Sequence, residues 1–169
     1  EAFGSVNVLV NNAGITMAKN LFDITLAEYR RIVDINQVSV FLGTKAAAAS
    51  MMKAGGGSIV NISSMNGLVV GAVGYTDTKF AVRGMTKAAA MNLAPMGIRV
   101  NSVHPGVIAT PMVLQEDTKA AVEEFSKSIP LKRLAQPEEV SNMVLFLASD
   151  ESSYSTGSEF VIDGGMTAQ

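Results

Sequence analysis

A chain of 169 residues with 48% hydrophobic content can build one domain with a sizeable core, and one domain is expected rather than two. Its net charge of −2 and pI near 5.4 leave no basic stripe for a phosphate backbone, so a small molecule is a better partner than nucleic acid. Cysteine is absent, which excludes disulfides and thiol chemistry. Lys, Asp, Gly or Ser interrupts every apolar run before the roughly 18 residues of a membrane helix, so the expectation is a soluble, cytoplasmic chain with no membrane partner.

The chain opens on Glu1-Ala2-Phe3-Gly4 with neither an initiator Met nor signal-like regions, which reads as a start inside a longer protein. Val6 to Val10 is a short apolar, β-branched run and the first expected strand. Helical period follows from Leu26 to Lys53. Gly55-Gly56-Gly57 stands after that helix and before the strand Ser58 to Ile62, so it is a helix stop and not a phosphate cradle. A helix over Tyr75 to Leu93 leads to a third strand, Ile98 to Val103. Residues 113–135 are polar and mixed, and a flexible substrate loop is expected over about 112–135. The helix Pro137 to Leu147 opens with Pro137-Glu138-Glu139 at its positive end, and Glu159 to Ile162 is the last strand.

Each strand is nearly all apolar, as strands covered on both faces are, and helices separate them. The pattern predicts an α/β, doubly wound parallel sheet of Rossmann type. In such sheets ligands bind beyond the carboxyl ends of the strands. The segments there are Asn11-Asn12-Ala13-Gly14, Ser63-Ser64 and His104-Pro105-Gly106, and they should converge on one crevice.

Tyr75 and Lys79 are four apart at the start of a helix, so their Cβ atoms lie roughly 5–6 Å apart on one face. A cation about 5 Å from a phenol, at an effective dielectric of about 20, is worth roughly 3 kcal/mol, or about two pKa units. That brings an acid/base tyrosine within reach of neutral pH. Ser64, at the end of the preceding strand, can donate a hydrogen bond to an oxygen on which charge develops.

Read together, Asn11-Asn12-Ala13-Gly14, Asp34-Ile35-Asn36, Asn61-Ile62-Ser63-Ser64 and Tyr75-Thr76-Asp77-Thr78-Lys79 resemble the classical short-chain dehydrogenase/reductase family. Arg99 through Gly106, Ser155-Thr156-Gly157 and Val161 through Gly165 carry the same resemblance, which spans the whole chain in order. The resemblance implies Tyr75 as acid/base, Lys79 as its partner and holder of the nicotinamide ribose, and Ser64 as the oxygen-binding hydroxyl. It implies Asn36 as the helix residue of a proton relay. It places Asn12, Ala13 and Gly14 along the adenosine side of the cofactor, and Pro105, Gly106, Ile108 and Thr110 against the nicotinamide carboxamide. The cofactor is then NAD or NADP, with NAD slightly favoured, and the assembly a homodimer or homotetramer. Ser64 and Met65, with Met112 and Val113, are the expected substrate contacts. No metal is expected, because Asp34 and Asp163 have no second ligand at suitable spacing.

Two departures stand out. Ser64 lies eleven positions before Tyr75, about two fewer than the family pattern, which leaves Ser63 as a fallback. The family's glycine-rich phosphate turn and NAD/NADP-selecting residue have no counterpart here, so the N-terminal half of the fold is expected to be missing and the chain alone inactive. The first strand then presents a raw apolar edge, an expected aggregation site. Within the family the chain looks most like bacterial hydroxysteroid dehydrogenases, acting on a secondary alcohol or ketone. A 3-oxoacyl-thioester reductase and a non-catalytic assembly module are the alternatives. His104, the sole imidazole, reads as a turn residue, and Asn36 taken alone reads as a polar residue on a helix surface.

Overall fold

The computed structural model describes residues 4–17, 19–111, 113–114 and 119–168. Four strands, β1 (Val8–Asn11), β2 (Gly57–Ile62), β3 (Ile98–Pro105) and β4 (Glu159–Ile162), form one sheet in the order β1-β2-β3-β4. Every pairing is parallel, with Val10 opposite Val60, Ile62 opposite Val103 and Pro105 opposite Ile162. Parallel neighbours require crossovers, and helices α1 (Leu26–Val33), α2 (Ser39–Ala54), α3 (Tyr75–Leu93), α4 (Lys119–Ser126) and α5 (Pro137–Ala148) lie in the connections.

The strands are covered on both faces, which is why they read as continuous apolar runs. Ile59, Ile98 and Val100 pack with Ala47, Ala48 and Met51 of α2 and Ala90 of α3. Val60 and Val103 point the other way and pack with Leu147 of α5. Successive strand residues face opposite sides, so adjacent Ile59 and Val60 seed the two cores. Polar side chains inside the sheet are paired: Ser58 Oγ donates to the Leu147 carbonyl at 2.7 Å and Asn61 Nδ2 to Thr86 Oγ1 at 2.9 Å. Arg99 binds the carbonyls of Leu147 and Ser149 at 3.0 and 2.9 Å, fastening the end of α5 to β3.

Local rules set the helix ends. Thr25 and Glu28 form a reciprocal capping box that starts α1. Gly55, in the left-handed region at φ 85°, ends α2 with its N–H on the Met51 and Met52 carbonyls, as the helix-stop reading requires. The stretch expected as one helix from Leu26 to Lys53 is interrupted. Asp34–Val38 forms a π-helical turn between α1 and α2, with the Ser39 N–H reaching back to the Asp34 carbonyl.

Of the stretch expected as a flexible loop, residues 112 and 115–118 lie outside the described residues, and the described part is in contact with the body. It contains α4, and Ile129 is buried at 2% exposure. The Leu131 N–H donates to the Gly164 carbonyl, and Ala109 and Ala135 tie residues 107–109 to 135 through paired backbone bonds. His104 is also misread by sequence: it is the penultimate residue of β3 and fully buried, not part of a turn.

Among the described residues β1 is paired along one edge only, and Val6, Val8 and Val10 are 46, 40 and 38% exposed. No helix among the described residues is long and apolar enough to cross a membrane.

Met51, with no exposed surface, touches both sheet and helix partners of the first core. Met51→Ala should destabilise the chain by about 2–5 kcal/mol in urea denaturation. Met91→Ala, at a position 79% exposed, should change stability by no more than about 0.5 kcal/mol.

Candidate active site

The carboxyl ends of β1, β2 and β3 and the first turn of α3 enclose one crevice of about 790 Å³, within the roughly 300–1,000 Å³ typical of small-molecule sites. Asn12, Ala13, Gly14, Ser64, Tyr75, Lys79, Pro105, Gly106, Ile108, Thr110 and Val113 all line it. Sequence positions a hundred residues apart therefore meet because parallel strands deliver their ends to one side.

The β2 end and α3 are clasped in both directions. Lys79 Nζ donates to the Ile62 carbonyl at 2.9 Å, and Ser63 Oγ donates to the Lys79 carbonyl at 2.9 Å. Gly67 closes over this clasp: a Cβ there would stand 2.5 Å from Ser63 Oγ and 2.9 Å from the Lys79 carbonyl, so only glycine fits. Ser63 is thus committed to holding the helix. Ser64 instead lines the crevice with Tyr75, where its hydroxyl favours the phenolate. The Asn66 N–H donates to Ser64 Oγ at 3.1 Å, which leaves the Ser64 proton available to an acceptor. The shortened spacing between Ser64 and Tyr75 is taken up by the tight turn Met65–Gly67 and by Asn66 Nδ2 holding the Val70 carbonyl at 2.9 Å.

Lys79 is 4% exposed and its Nζ lies 5.5 Å from the Tyr75 ring centroid. Burial lowers the Lys79 pKa to about 8. The expectation that the ammonium makes the phenol acidic is not met. Burial pushes the Tyr75 phenol up from its usual value, and the hydrogen bond from Ser64 only partly opposes this. Desolvation by burial is the larger of the two causes.

Asn36 is 1% exposed and is no surface residue. Its Oδ1 accepts from the Ile15 N–H at 2.8 Å, while its Nδ2 donates to the Ile15 carbonyl at 2.9 Å and to Thr78 Oγ1 at 3.2 Å. Thr78 Oγ1 donates in turn to the Tyr75 carbonyl at 2.8 Å. The π-helical turn therefore joins the segment after β1 to the helix that carries Tyr75 and Lys79. Asn36 stands behind the crevice wall, near Gly14, and does not line it.

Met65 does not line the crevice either; it opens the turn after Ser64, and its carbonyl accepts from the Leu68 and Val69 N–H groups. Met112 lies outside the described residues. Sequence reasoning missed Val140, Ser141 and Val144 of α5, which form part of the crevice wall. Val140 and Val144 share a helix face, a signal that reads equally as core.

A family model described as enoyl-(acyl carrier protein) reductase matches residues 1–167. The 3-alpha-(or 20-beta)-hydroxysteroid dehydrogenase of Mycobacterium tuberculosis strain ATCC 25618 / H37Rv is 54% identical over 169 residues, covering 99% of this chain and 63% of that protein. The cyclopentanol dehydrogenase of Comamonas testosteroni is 54% identical over 166 residues, 96% of this chain and 66% of that protein. A short-chain type dehydrogenase/reductase from Mycobacterium marinum superimposes with a TM-score of 0.93 at 42% identity, over 99% of this chain and 67% of its own. The chain belongs to the short-chain dehydrogenase/reductase family. It spans about 63% of the length of the hydroxysteroid dehydrogenase it matches.

A buried ammonium weakens this short-chain dehydrogenase/reductase chain. Shifting a lysine from 10.5 to about 8 corresponds to a charging cost on the order of 3 kcal/mol. Below about pH 8 Lys79 is protonated in folded and unfolded chains alike, and the cost is borne in full. Between pH 8 and 10 the unfolded chain holds the proton that the folded chain has released, so stability rises with pH. Tyr75, raised above 10, reverses the slope beyond that window. Lys79→Met should therefore raise stability at pH 7 by about 1 kcal/mol, net of the lost hydrogen bond to Ile62. Urea denaturation from pH 7 to 10 should show the rise in the parent chain and a flat profile in the variant.

Proposed function

We propose that the protein to which this chain belongs transfers a hydride reversibly between NAD or NADP and a cyclic secondary alcohol or ketone, with hydroxysteroids and smaller cyclic alcohols as the substrate class. The observation that carries this reading is the meeting of Ser64, Tyr75 and a 4%-exposed Lys79 in one crevice. A cation that costs stability has no use in a mere scaffold, which argues against the assembly-module alternative. The hydroxysteroid and cyclopentanol dehydrogenases at 54% identity support the substrate class.

The residues present suit the nicotinamide half of such a cofactor. Lys79 spends one of its three N–H donors on Ile62 and has others for ribose hydroxyls. Gly14 opens the approach, since even a Cβ there would stand 3.5 Å from Lys79 Nζ and Asn36 Oδ1. Asn12 and Ala13 continue that wall, and Pro105, Gly106, Ile108 and Thr110 form the opposite one. When bound, the nicotinamide supplies or accepts the hydride.

Tyr75 and Ser64 then handle the substrate oxygen. With its pKa raised, Tyr75 is protonated near pH 7 beside a charged Lys79, so it is a proton donor suited to ketone reduction. Ser64 donates its free proton to the same oxygen and stabilises the charge that develops there. In the reverse direction Tyr75 must first lose its proton, so alcohol oxidation should speed up with rising pH while reduction slows. Ile62, Val113, Val140 and Val144 supply the apolar walls a cyclic skeleton needs.

A thioester reading draws on the description of the matching family model. An acidic acyl carrier wants a free basic rim, but Arg133 is held by Glu139 at 2.7 Å and Lys127 by Glu124 at 2.6 Å. A homodimer or homotetramer is the proposed assembly, supported by apolar exposure on α2 and α3: Phe41 and Leu42 are 52 and 56% exposed, and Phe80 is 41% exposed.

In the natural full-length protein, Tyr75→Phe should cut turnover of a hydroxysteroid or cyclopentanol by at least about 100-fold. Unchanged turnover in that variant would refute the role given to the phenol. A parent enzyme that turns over a 3-oxoacyl thioester but no cyclic alcohol would refute the substrate class.

A further inference from the structure

The mechanism leaves one buried, titratable ring unused. His104 is the sole histidine of the chain, and it is 0% exposed. Both ring nitrogens are engaged: Nδ1 lies 3.0 Å from the Ser64 carbonyl oxygen, and Nε2 lies 2.9 Å from Ser102 Oγ. A carbonyl only accepts, so Nδ1 carries the proton, and in the neutral ring Nε2 accepts from the Ser102 hydroxyl. Burial lowers the imidazole pKa and favours that neutral form.

Ser64 stands where such a support matters. The last backbone bond between this stretch and β3 is the Ser63 N–H on the Val103 carbonyl at 2.8 Å. Past it, the Ser64 carbonyl accepts from the Gly67 N–H at 2.9 Å and Ser64 Oγ accepts from the Asn66 N–H at 3.1 Å. Both of those donors belong to the turn Met65–Gly67 and not to the sheet. Among the described residues, His104 supplies the bond that ties Ser64 itself to the sheet. It fills the second lone pair of the Ser64 carbonyl.

We propose that His104 is a positioning residue for Ser64: its Nδ1–H, set by Ser102, holds the Ser64 carbonyl and so aims the Ser64 hydroxyl at Tyr75 and the substrate oxygen. The inference rests on the hydride-transfer reading, because Ser64 needs aiming only if it binds a reacting oxygen. A misplacement of about 1 Å in such a group costs up to about 100-fold in rate.

Two measurements test it. The first needs no turnover: ¹⁵N-detected NMR of the chain, in which His104 gives the only imidazole signals, should show a slowly exchanging proton on Nδ1 and a bare Nε2. A proton on Nε2 instead would overturn the proposal. The second uses the full-length protein. His104→Leu should lower kcat by about tenfold with KM changed by less than about twofold, whereas His104→Asn, which places an amide donor near the Nδ1 position, should recover most of the loss. In a Ser64→Ala background His104→Leu should have no further effect on kcat, because the group it aims is gone. Full activity in His104→Leu, or an equal tenfold loss with and without Ser64, would overturn it. Should His104→Leu not fold, His104→Gln replaces it in the same cycle, since its amide reaches the Nε2 position and not Nδ1. Parental turnover in Ser64→Ala alone would be a failure of the hydride-transfer reading itself, which the NMR result leaves separate.

Discussion

One hydrogen bond organises the site. The Lys79 ammonium, 4% exposed, donates to the Ile62 carbonyl at the end of β2. The return bond from Ser63 to the Lys79 carbonyl makes the strand end and the helix a single unit. Tyr75 lies one turn before Lys79 and Ser64 one residue beyond Ser63, so this clasp sets the distance between the two hydroxyls that act on the substrate oxygen. A positive charge away from water normally seeks neutralisation, and among the described residues this one has a carbonyl dipole as its partner. Its pKa near 8 records that cost.

The rest of the fold supports an arrangement that is locally unfavourable. Asn36 clamps the Ile15 backbone with two hydrogen bonds and reaches Thr78, which holds the Tyr75 carbonyl. On the other side β3 offers Val103 to Ser63 and His104 to Ser64. Two apolar cores, centred on Ile59 and Val60, keep the sheet rigid beneath these polar contacts. Stability is concentrated in the sheet and spent at the crevice, the usual pattern where preorganised groups await a substrate.

Much of this was legible in the sequence, for identifiable reasons. Strands buried on both faces leave unbroken apolar runs, and in all four strands the run and the strand agree within a few residues. Gly55 marks the end of α2 because a left-handed residue must follow the last carbonyls. The convergence of Asn12 to Gly14, Ser64 and Pro105 to Thr110 follows from parallel topology alone. What local sequence hides is tertiary. Asp34-Ile35-Asn36 keeps a helical period, and the π-helical turn forms with Asn36 bound to Ile15, twenty-one positions away. His104 precedes Pro105-Gly106 as a turn residue would, yet pairing with β4, His104 opposite Val161, carries the strand through it. Spacing predicts an acidic phenol where burial makes it less acidic, because spacing reports the proximity of a cation but not the depth at which both groups are buried.

The most direct test is the titration of the Lys79 ammonium, followed by side-chain NMR of the folded chain with Lys79→Met to assign the signal. The account predicts a midpoint near 8. A midpoint at or above the ordinary lysine value of about 10.4 would mean a solvated, freely paired ammonium, and the clasp could not then be what sets the site.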